Sequence, residues 1–270
     1  MANTQDVPFV KKFGQEVHHK FAQTESLLLN SVSTLRGIEG SSYRWQVVGQ
    51  VEANTKARNA DVTPLEIAHT FVDITLSDFY APLYFDKLDQ LKTNVSFREM
   101  YVKETAGAIN RKIDDTIIAA LAAASGTTTV TAGGVWTYAK HMEAIEALMT
   151  KEANDGDRTL VIAPRTYTAM LSDVKLTSGD YQSLKPVETG KLGTLFGANV
   201  ILSNRLPLAT TARTNFYFNK SAVCAVLGLD PHTDVDWIAE KVAWLVNTMT
   251  SVGSAALEGA GIVKFVTTEV

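Results

Sequence analysis

Residues 96–125, with the sequence SFREMYVKETAGAINRKIDDTIIAALAAAS, carry the strongest structural pattern of this chain. The stretch contains no proline and one glycine, Gly107, so it predicts a single long helix. Ser96 and Glu99 fit a capping box, in which the serine oxygen and the glutamate carboxylate satisfy free backbone N–H groups. At its usual rise per residue, such a helix is about 43 Å long, which is nearly the width of a compact chain of this size.

The two sides of this predicted helix carry different residues. Apolar side chains recur at spacings of three and four and form one buried stripe, namely Val102, Ala106, Ile109, Ile113, Ile117 and Ala120. The charged residues lie on or beside the opposite side, namely Lys103, Glu104, Arg111, Asp114 and Asp115. Phe97 and Tyr101 also project from this polar side, so they need a second surface to cover them. That surface is either another segment of the same chain or a neighbouring subunit.

The segment before the helix predicts a long two-stranded hairpin. Tyr43, Trp45 and Val47 alternate with other residues in a strand pattern, and Val72, Ile74 and Leu76 indicate a returning strand. Residues 50–61 between them contain few apolar groups, which favours a projecting polar tip, although a disordered surface loop fits the pattern equally well. Because an isolated hairpin is marginal in water, this one needs a surface to lie on.

The remaining segments predict a mixture of helices and strands. An extended start is followed by a helix around residues 13–30, and further helices are expected over 138–153 and over 165–172, where Pro164 fits the first turn. Residues 173–193 are polar and are expected to be mobile. Strands are predicted at 159–163, 199–203, 215–218, 235–238, 242–250 and 261–267. Helices and strands do not alternate regularly, so the predicted class is α+β.

Composition limits the function classes. The 270 residues carry a formal net charge of −4, which argues against a protein whose surface mainly binds nucleic acid. The single cysteine, Cys224, excludes an intrachain disulfide and fits a reducing cytoplasm. No apolar run reaches the length of a membrane span, and the first residues lack the pattern of a signal peptide.

A search for catalytic, cofactor and metal sites in the sequence predicts none. The five histidines are scattered and are interpreted as surface residues, namely His18, His19, His69, His141 and His232. Gly190-Lys191 lacks the other residues of a phosphate-binding loop, and the segment after Ser251 lacks the second glycine of a nucleophile elbow. Cys224 lies in an apolar run, which favours a packed and inert thiol. Asp114 and Asp115 are interpreted as ion-paired helix surface.

The ordered set of short motifs resembles the major capsid proteins of tailed phages, which have the Hong Kong 97-type coat fold, and is most similar to the short-tailed T7-like coat proteins. The N-terminal half of the resemblance lies in Phe21-Ala22-Gln23-Thr24, Arg36-Gly37-Ile38, residues 40–49, His69-Thr70 and Asp73-Ile74. The C-terminal half lies in residues 193–200 and 203–207, Asn219-Lys220-Ser221-Ala222-Val223, residues 248–253 and residues 257–263. Each motif is weakly specific alone, and their common order makes the resemblance stronger.

The resemblance implies a division of the chain into structural parts. Residues 1–36 would form an N-terminal arm and helix, and 37–76 an extended loop. Residues 77–130 and 234–270 would form a peripheral domain with the spine helix, and 131–233 an axial domain. The protein would then self-assemble through hexamers and pentamers into an icosahedral head that encloses double-stranded DNA, with portal and scaffold proteins as further partners.

The expected assembly contacts lie on the hairpin and on the spine helix. Tyr43 and Trp45 would anchor the base of the hairpin, and charged residues of the tip would contact a neighbouring subunit, namely Glu52, Lys56, Arg58 and Asp61. Phe97 and Tyr101 would lie under the extended loop or against a neighbour. The alternatives are the shell of an encapsulin-like protein compartment, which packages protein cargo, and a cytoplasmic enzyme of undetected type.

Overall fold

The structure is a computed structural model that describes residues 22–88, 97–131, 133–153, 156–174 and 193–269. The fold is α+β, as predicted. The α-helices bounded within these ranges are α1 (Phe97–Ala123), α2 (Tyr138–Thr150) and α3 (Pro164–Leu171). The strands are β1 (Ser33–Arg36), β2 (Ser42–Val48), β3 (His69–Thr75), β4 (Ser77–Asp86), β5 (Thr128–Thr131), β6 (Arg158–Ile162), β7 (Thr194–Leu195), β8 (Ala198–Leu202), β9 (Leu208–Ala209), β10 (Ala212–Asn219), β11 (Val223–Ile238), β12 (Ala243–Ala256) and β13 (Ile262–Thr268).

Helix α1 confirms the predicted long helix to within two residues at each end. Ile109, Ile113 and Ile117 of the predicted apolar stripe are at most 2% exposed. At the C-terminal end of the helix, the ammonium group of Lys264 donates to the carbonyl oxygens of Ala122 and Ala124, at 2.8 and 2.9 Å. This places a positive charge at the negative end of the helix dipole, which stabilises the C-terminus of α1. Ser96, and with it the predicted capping box, lies outside the described residues.

A four-stranded sheet lies against α1. Its strand order is β1-β11-β12-β4, in which β1 is parallel to β11 and the other pairs are antiparallel. The hydroxyl of Thr248 in β12 donates to the hydroxyl of Thr105 in α1 at 2.8 Å, and both residues are buried. Strand β11 begins before the predicted segment 235–238, and β12 continues beyond the predicted segment 242–250. Their pairing is irregular between Leu227 and His232.

A seven-stranded sheet forms the second layer. Its order is β5-β13-β10-β6-β8-β7, with β9 paired to β10. Phe216 and Phe218 of β10 are buried in the same cluster as α1, whereas Tyr217 is buried in the cluster of α2 and α3. The central strands of this sheet are therefore covered on both faces. Strands β6, β8, β10 and β13 and helices α2 and α3 confirm the corresponding predicted segments.

Strand pairing differs from the predicted domain division at two places. The boundary after residue 233 falls inside β11, which runs on as one strand of the four-stranded sheet. Strand β13, which was expected with the spine helix in the peripheral domain, pairs with β10 and β5 in the seven-stranded sheet. The pairing of β13 joins segments that are distant in sequence, and the domain bounds, which rest on the resemblance, stay a prediction.

The N-terminal segment corrects the predicted helix over residues 13–30. Residues 22–28 are not helical, and they lead into one short 3-10 turn (Leu29–Ser31) and then into β1. The backbone N–H groups of Leu27 and Leu28 donate to the carboxylate of Asp114 at 3.0 and 3.2 Å, and not to carbonyl groups of a helix. The part of this prediction that falls on residues 13–21 lies outside the described residues.

Candidate assembly surfaces

The stem of the predicted hairpin is confirmed. Strands β2 and β3 are antiparallel, with a register that runs from Ser42 opposite Thr75 to Val48 opposite His69. The rings of Tyr43 and Trp45 meet edge to face, with centroids 5.8 Å apart. Both residues pack beside Ile74 against Cys224 and Val226 of β11. Tyr43 and Trp45 thus lie at the base of the hairpin, where they hold it on the four-stranded sheet.

Two further features fix the position of this stem. A Cβ atom on Gly253 of β12 would lie 2.4 Å from the carbonyl oxygen of Thr75, so only glycine lets the two backbones approach so closely. Across the stem, Arg44 donates two hydrogen bonds to Asp73, at 2.6 and 2.9 Å. These bonds raise the pKa of Arg44 and lower the pKa of Asp73 from their usual values. Because both side chains are exposed, the pair adds little stability.

The tip of the hairpin is exposed along its whole length. Every residue from 49 to 68 is exposed, and none of them lies in a strand. This stretch includes the predicted contact residues, namely Glu52, Lys56, Arg58 and Asp61. Its apolar side chains are exposed as well, namely Val51, Val62, Leu65 and Ile67. Within the tip, the side-chain amide of Gln50 donates a hydrogen bond to the carboxylate of Glu152 in the same chain at 3.3 Å.

Tyr101 contacts another segment of its own chain. Its ring meets that of Phe85 in β4 edge to face, with centroids 5.9 Å apart, and Tyr101 is half-buried. Strand β4 of the same chain therefore supplies part of the cover of Tyr101. The predicted contact of Tyr101 with the extended loop or with a neighbouring subunit stays a prediction. The side chain of Phe97 lies outside the described residues.

Asp114 corrects the interpretation of the two acidic residues on α1. Asp114 is only 1% exposed, and its carboxylate accepts hydrogen bonds from the side chains of Gln23 and Ser26 and from two backbone N–H groups. These donors all lie in residues 23–28, which we call the strap. Asp115, one position later on the helix, forms an ion pair with Arg205, as predicted. Charge alone did not distinguish the two neighbours, because their difference depends on where the strap crosses.

Gly107 lies where the strap crosses the helix. The carbonyl oxygen of Gln23 would lie 3.5 Å from a Cβ atom on this glycine. Beside it, Arg111 donates to the same carbonyl at 2.8 Å, and Asn110 donates to the carbonyl of Thr24 at 2.9 Å. Gly107 is the sequence feature that indicates this close approach of two backbones, because a glycine inside an alanine-rich helix usually has a packing reason.

Two buried titratable groups lie away from the hairpin tip. Burial raises the pKa of the Cys224 thiol to about 11, which agrees with an inert packed cysteine. The interpretation of His141 as a surface residue is wrong: it is 2% exposed and lies against the rings of Trp136, Phe196 and Tyr217. Burial lowers the pKa of His141 to about 4. His69 and His232 are exposed, as predicted.

Neither metal-binding nor membrane-spanning features occur in the part of the chain that the structure describes. Within that part, no group of three or more histidine, cysteine, aspartate and glutamate side chains could hold a metal ion. Among the described helices, none combines the length and apolar character that a membrane span requires.

The spine helix, the extended hairpin and the two sheets together define a coat subunit of the Hong Kong 97 type. The chain belongs to the phage capsid protein family, whose pattern matches residues 6–269. It is a major capsid protein of a tailed-phage head, its location is the virion capsid, and its role in the family is structural. No curated protein matches the chain.

Solved capsid structures agree with this assignment of the fold. The chain is similar to a structure from Mycobacterium phage Che8, with 19% identity, a TM-score of 0.79 and coverage of 98% of each chain. It is similar to the capsid of cyanophage P-SCSP1u, with 17% identity, a TM-score of 0.78 and coverage of 100% of this chain and 97% of the other. It is also similar to the capsid of a native GTA particle, with 13% identity, a TM-score of 0.74 and coverage of 96% and 95%.

Proposed function

We propose that this capsid protein forms an icosahedral shell of hexamers and pentamers in which each hairpin tip lies over a neighbouring subunit. The observation that carries the proposal is the contrast within one hairpin. The stem packs on the sheet through Tyr43 and Trp45, whereas all residues from 49 to 68 are exposed. Exposed apolar side chains beside charged ones are typical of a surface that is covered in an assembly.

The contact between a tip and a different surface on the next subunit is heterologous. Such contacts close into rings when the rotation between subunits permits, which suits hexamers and pentamers. The four-stranded sheet with α1 would act as the peripheral domain and the seven-stranded sheet as the axial domain. The ordered sequence motifs support a place near the short-tailed T7-like coat proteins, with portal and scaffold proteins as assembly partners.

The proposed content of the shell is double-stranded DNA held without sequence preference. The formal charge of −4 supports this, because a strongly basic subunit would bind phosphate tightly along the whole genome. Particles from infected cells should therefore protect DNA from nuclease, whereas an encapsulin-like shell would protect a protein cargo.

Deletion of residues 50–61 tests the role of the tip. The shortened subunit should remain folded, because the removed residues are exposed and the stem keeps its contacts. It should form no closed shells in negative-stain electron microscopy, and its thermal unfolding should match that of the intact subunit. Normal closed particles from the deletion variant would contradict the bridging role.

A further inference from the structure

The seven-stranded sheet ends in a small hairpin that closes over a buried histidine. Strands β7 and β8 are antiparallel and are joined by the two-residue turn Phe196-Gly197. We call residues 193–197, which are β7 with its preceding glycine and the turn, the flap. The N–H group of Val200 in β8 donates to the carbonyl oxygen of Gly193 at 3.2 Å. Among the described strands, β8 alone pairs with the flap, which therefore forms an edge of the sheet.

The turn of the flap has a strained backbone. Phe196 has a φ of 50° and Gly197 a φ of 76°, so both residues lie in the left-handed region. Glycine adopts this region freely, but a bulky side chain does so only at a cost. The turn places the ring of Phe196 against the rings of His141 and Tyr138, with centroids 5.5 and 5.9 Å apart. The strained turn therefore holds an aromatic side chain over His141.

The three aromatic rings around His141 differ in how deeply they are buried. Trp136 and Tyr217 are 3% and 1% exposed, and their ring centroids lie 5.9 and 6.1 Å from that of His141. Both belong to the core on the α2 side of the sheet. Phe196 is 37% exposed, so it can move away without opening that core. The same movement would uncover Leu195, which is 2% exposed, and this cost keeps the flap closed while the histidine is neutral.

The groups around His141 offer no negative charge to a protonated ring. Of the three rings, only that of Tyr217 carries a titratable group, and its hydroxyl accepts a hydrogen bond from the guanidinium of Arg158 in β6 at 3.3 Å. On α2 itself, Lys140 and Glu143 pair with each other at 2.6 Å. Within the part of the chain that the structure describes, the ring of His141 forms no hydrogen bond or ion pair. A proton on this ring is therefore stabilised only where water reaches it.

We propose that the flap is acid-sensitive: it closes over His141 when the ring is neutral and opens when the ring is protonated. Under the closed flap, burial lowers the pKa of His141 to about 4, whereas water reaches the ring once the flap is open and the pKa returns towards its usual value of about 6.5. Between these two pH values, the open form binds a proton that the closed form does not. The ratio of open to closed flap should therefore rise about tenfold for each unit by which the pH falls. This opening involves the seven-stranded sheet and does not depend on the role proposed for the hairpin tip.

Hydrogen exchange of the full-length, unassembled subunit tests the opening. Mass spectrometry at about pH 6.5, 5.5 and 4.5, corrected for the intrinsic pH dependence of exchange, gives the protection of a peptide over residues 193–200. This protection should fall about tenfold per pH unit, while peptides of β6 and β10 keep theirs. In His141→Gln, which does not titrate, the corrected protection of the flap should be independent of pH. His232→Gln removes an exposed histidine and should behave like the natural chain.

A variant of the flap provides a second measurement. In Phe196→Ala, the ring that covers His141 is missing, so the pKa of His141 should rise from about 4 towards about 6.5 in an NMR titration of the histidine ring protons. Phe71→Ala is the matched control. It removes an exposed phenylalanine from the hairpin stem and should leave the pKa of His141 unchanged.

Three results would overturn the acid-sensitive flap. The first is a flap in His141→Gln whose protection still falls about tenfold per pH unit. The second is a loss of protection in β6 and β10 equal to that in the flap, which would mean that the sheet opens as a whole. The third is a pKa of His141 that stays near 4 in Phe196→Ala, because Phe196 would then not be the cover that keeps water from the ring.

Discussion

The two sheets of this protein differ in how completely their own chain covers them. In the seven-stranded sheet, Phe216 and Phe218 are buried against the α1 side, and Tyr217 is buried on the side of α2 and α3. In the four-stranded sheet, α1 covers one face, but strand β4 leaves Tyr80 and Tyr84 exposed on the other. The central strands of the first sheet are buried on both faces within one subunit, whereas the second sheet leaves part of one face exposed.

This difference separates buried residues, which stabilise the subunit, from exposed residues, which we propose connect subunits. Substitutions at buried contacts should lower the free energy of unfolding of the isolated subunit. Substitutions on the tip or on the open sheet face should leave that free energy within about 0.5 kcal/mol and change assembly instead. Three predictions at buried positions test this division.

The largest expected effect is at Asp114, which joins the strap to α1. In Asp114→Ala, the N–H groups of Leu27 and Leu28 and the side chains of Gln23 and Ser26 lose their acceptor. Leaving several partly buried donors unsatisfied should lower the free energy of unfolding by about 4 kcal/mol. Urea denaturation of the unassembled subunit measures this change.

Asp115→Ala is the matched control for Asp114. It removes one carboxylate from the neighbouring position, but its pair with Arg205 is about one third exposed on both sides. Solvent screens such a pair, so the cost should be about 1 kcal/mol or less. Equal effects at the two positions would show that the strap contributes no more than an ordinary surface ion pair.

The second prediction concerns pH and the seven-stranded sheet. The pKa of His141 is about 4 in the folded subunit, because burial disfavours the charged ring, against about 6.5 in an unfolded chain. As the pH falls from about 6.5 to about 4, the unfolded chain binds a proton that the folded subunit does not. The free energy of unfolding should therefore fall by about 3 kcal/mol across this window and should be at its full value above it.

The variant His141→Gln isolates this contribution from the titration of surface carboxylates. Glutamine does not titrate, so the fall in the free energy of unfolding between pH 7 and pH 4.5 should be smaller in the variant than in the natural chain. Urea denaturation at the two pH values gives both differences. An identical pH dependence in the two proteins would contradict the burial of a neutral His141.

The elements that were predicted correctly are those with strong local patterns. The apolar spacing of Ile109, Ile113 and Ile117 defines α1, and the alternation around Trp45 defines the stem. These patterns repeat within one element, so they can be identified without knowledge of its partners. The exposed tip followed from the same reasoning, because a stretch with few apolar groups cannot bury much surface.

The errors concern contacts between distant segments. Asp114 and Asp115 are both aspartates on α1, and only the crossing of the strap makes one buried and leaves the other about one third exposed. The burial of His141 depends on Phe196 and Tyr217, which come from other elements. The exposure of Tyr80 and Tyr84 on one face of the four-stranded sheet also depends on the register of β4 against β12, which the local sequence does not show.

The smallest of the three expected effects is at Gly253, where the hairpin stem meets the four-stranded sheet. In Gly253→Ala, the new Cβ atom would lie 2.4 Å from the carbonyl oxygen of Thr75 and 3.0 Å from the side chain of Ile74. The stem must move away from the sheet, which should lower the free energy of unfolding by about 2 kcal/mol. Gly134→Ala is the control. No atom would lie within 4 Å of its Cβ atom, so this substitution should leave the free energy of unfolding unchanged.

The Gly253→Ala variant should also affect assembly. Because the position of the stem determines where the tip lies, this variant should lose closed particles while its subunit stays folded. If it lost 2 kcal/mol and still assembled normally, the position of the stem would not determine where the tip binds.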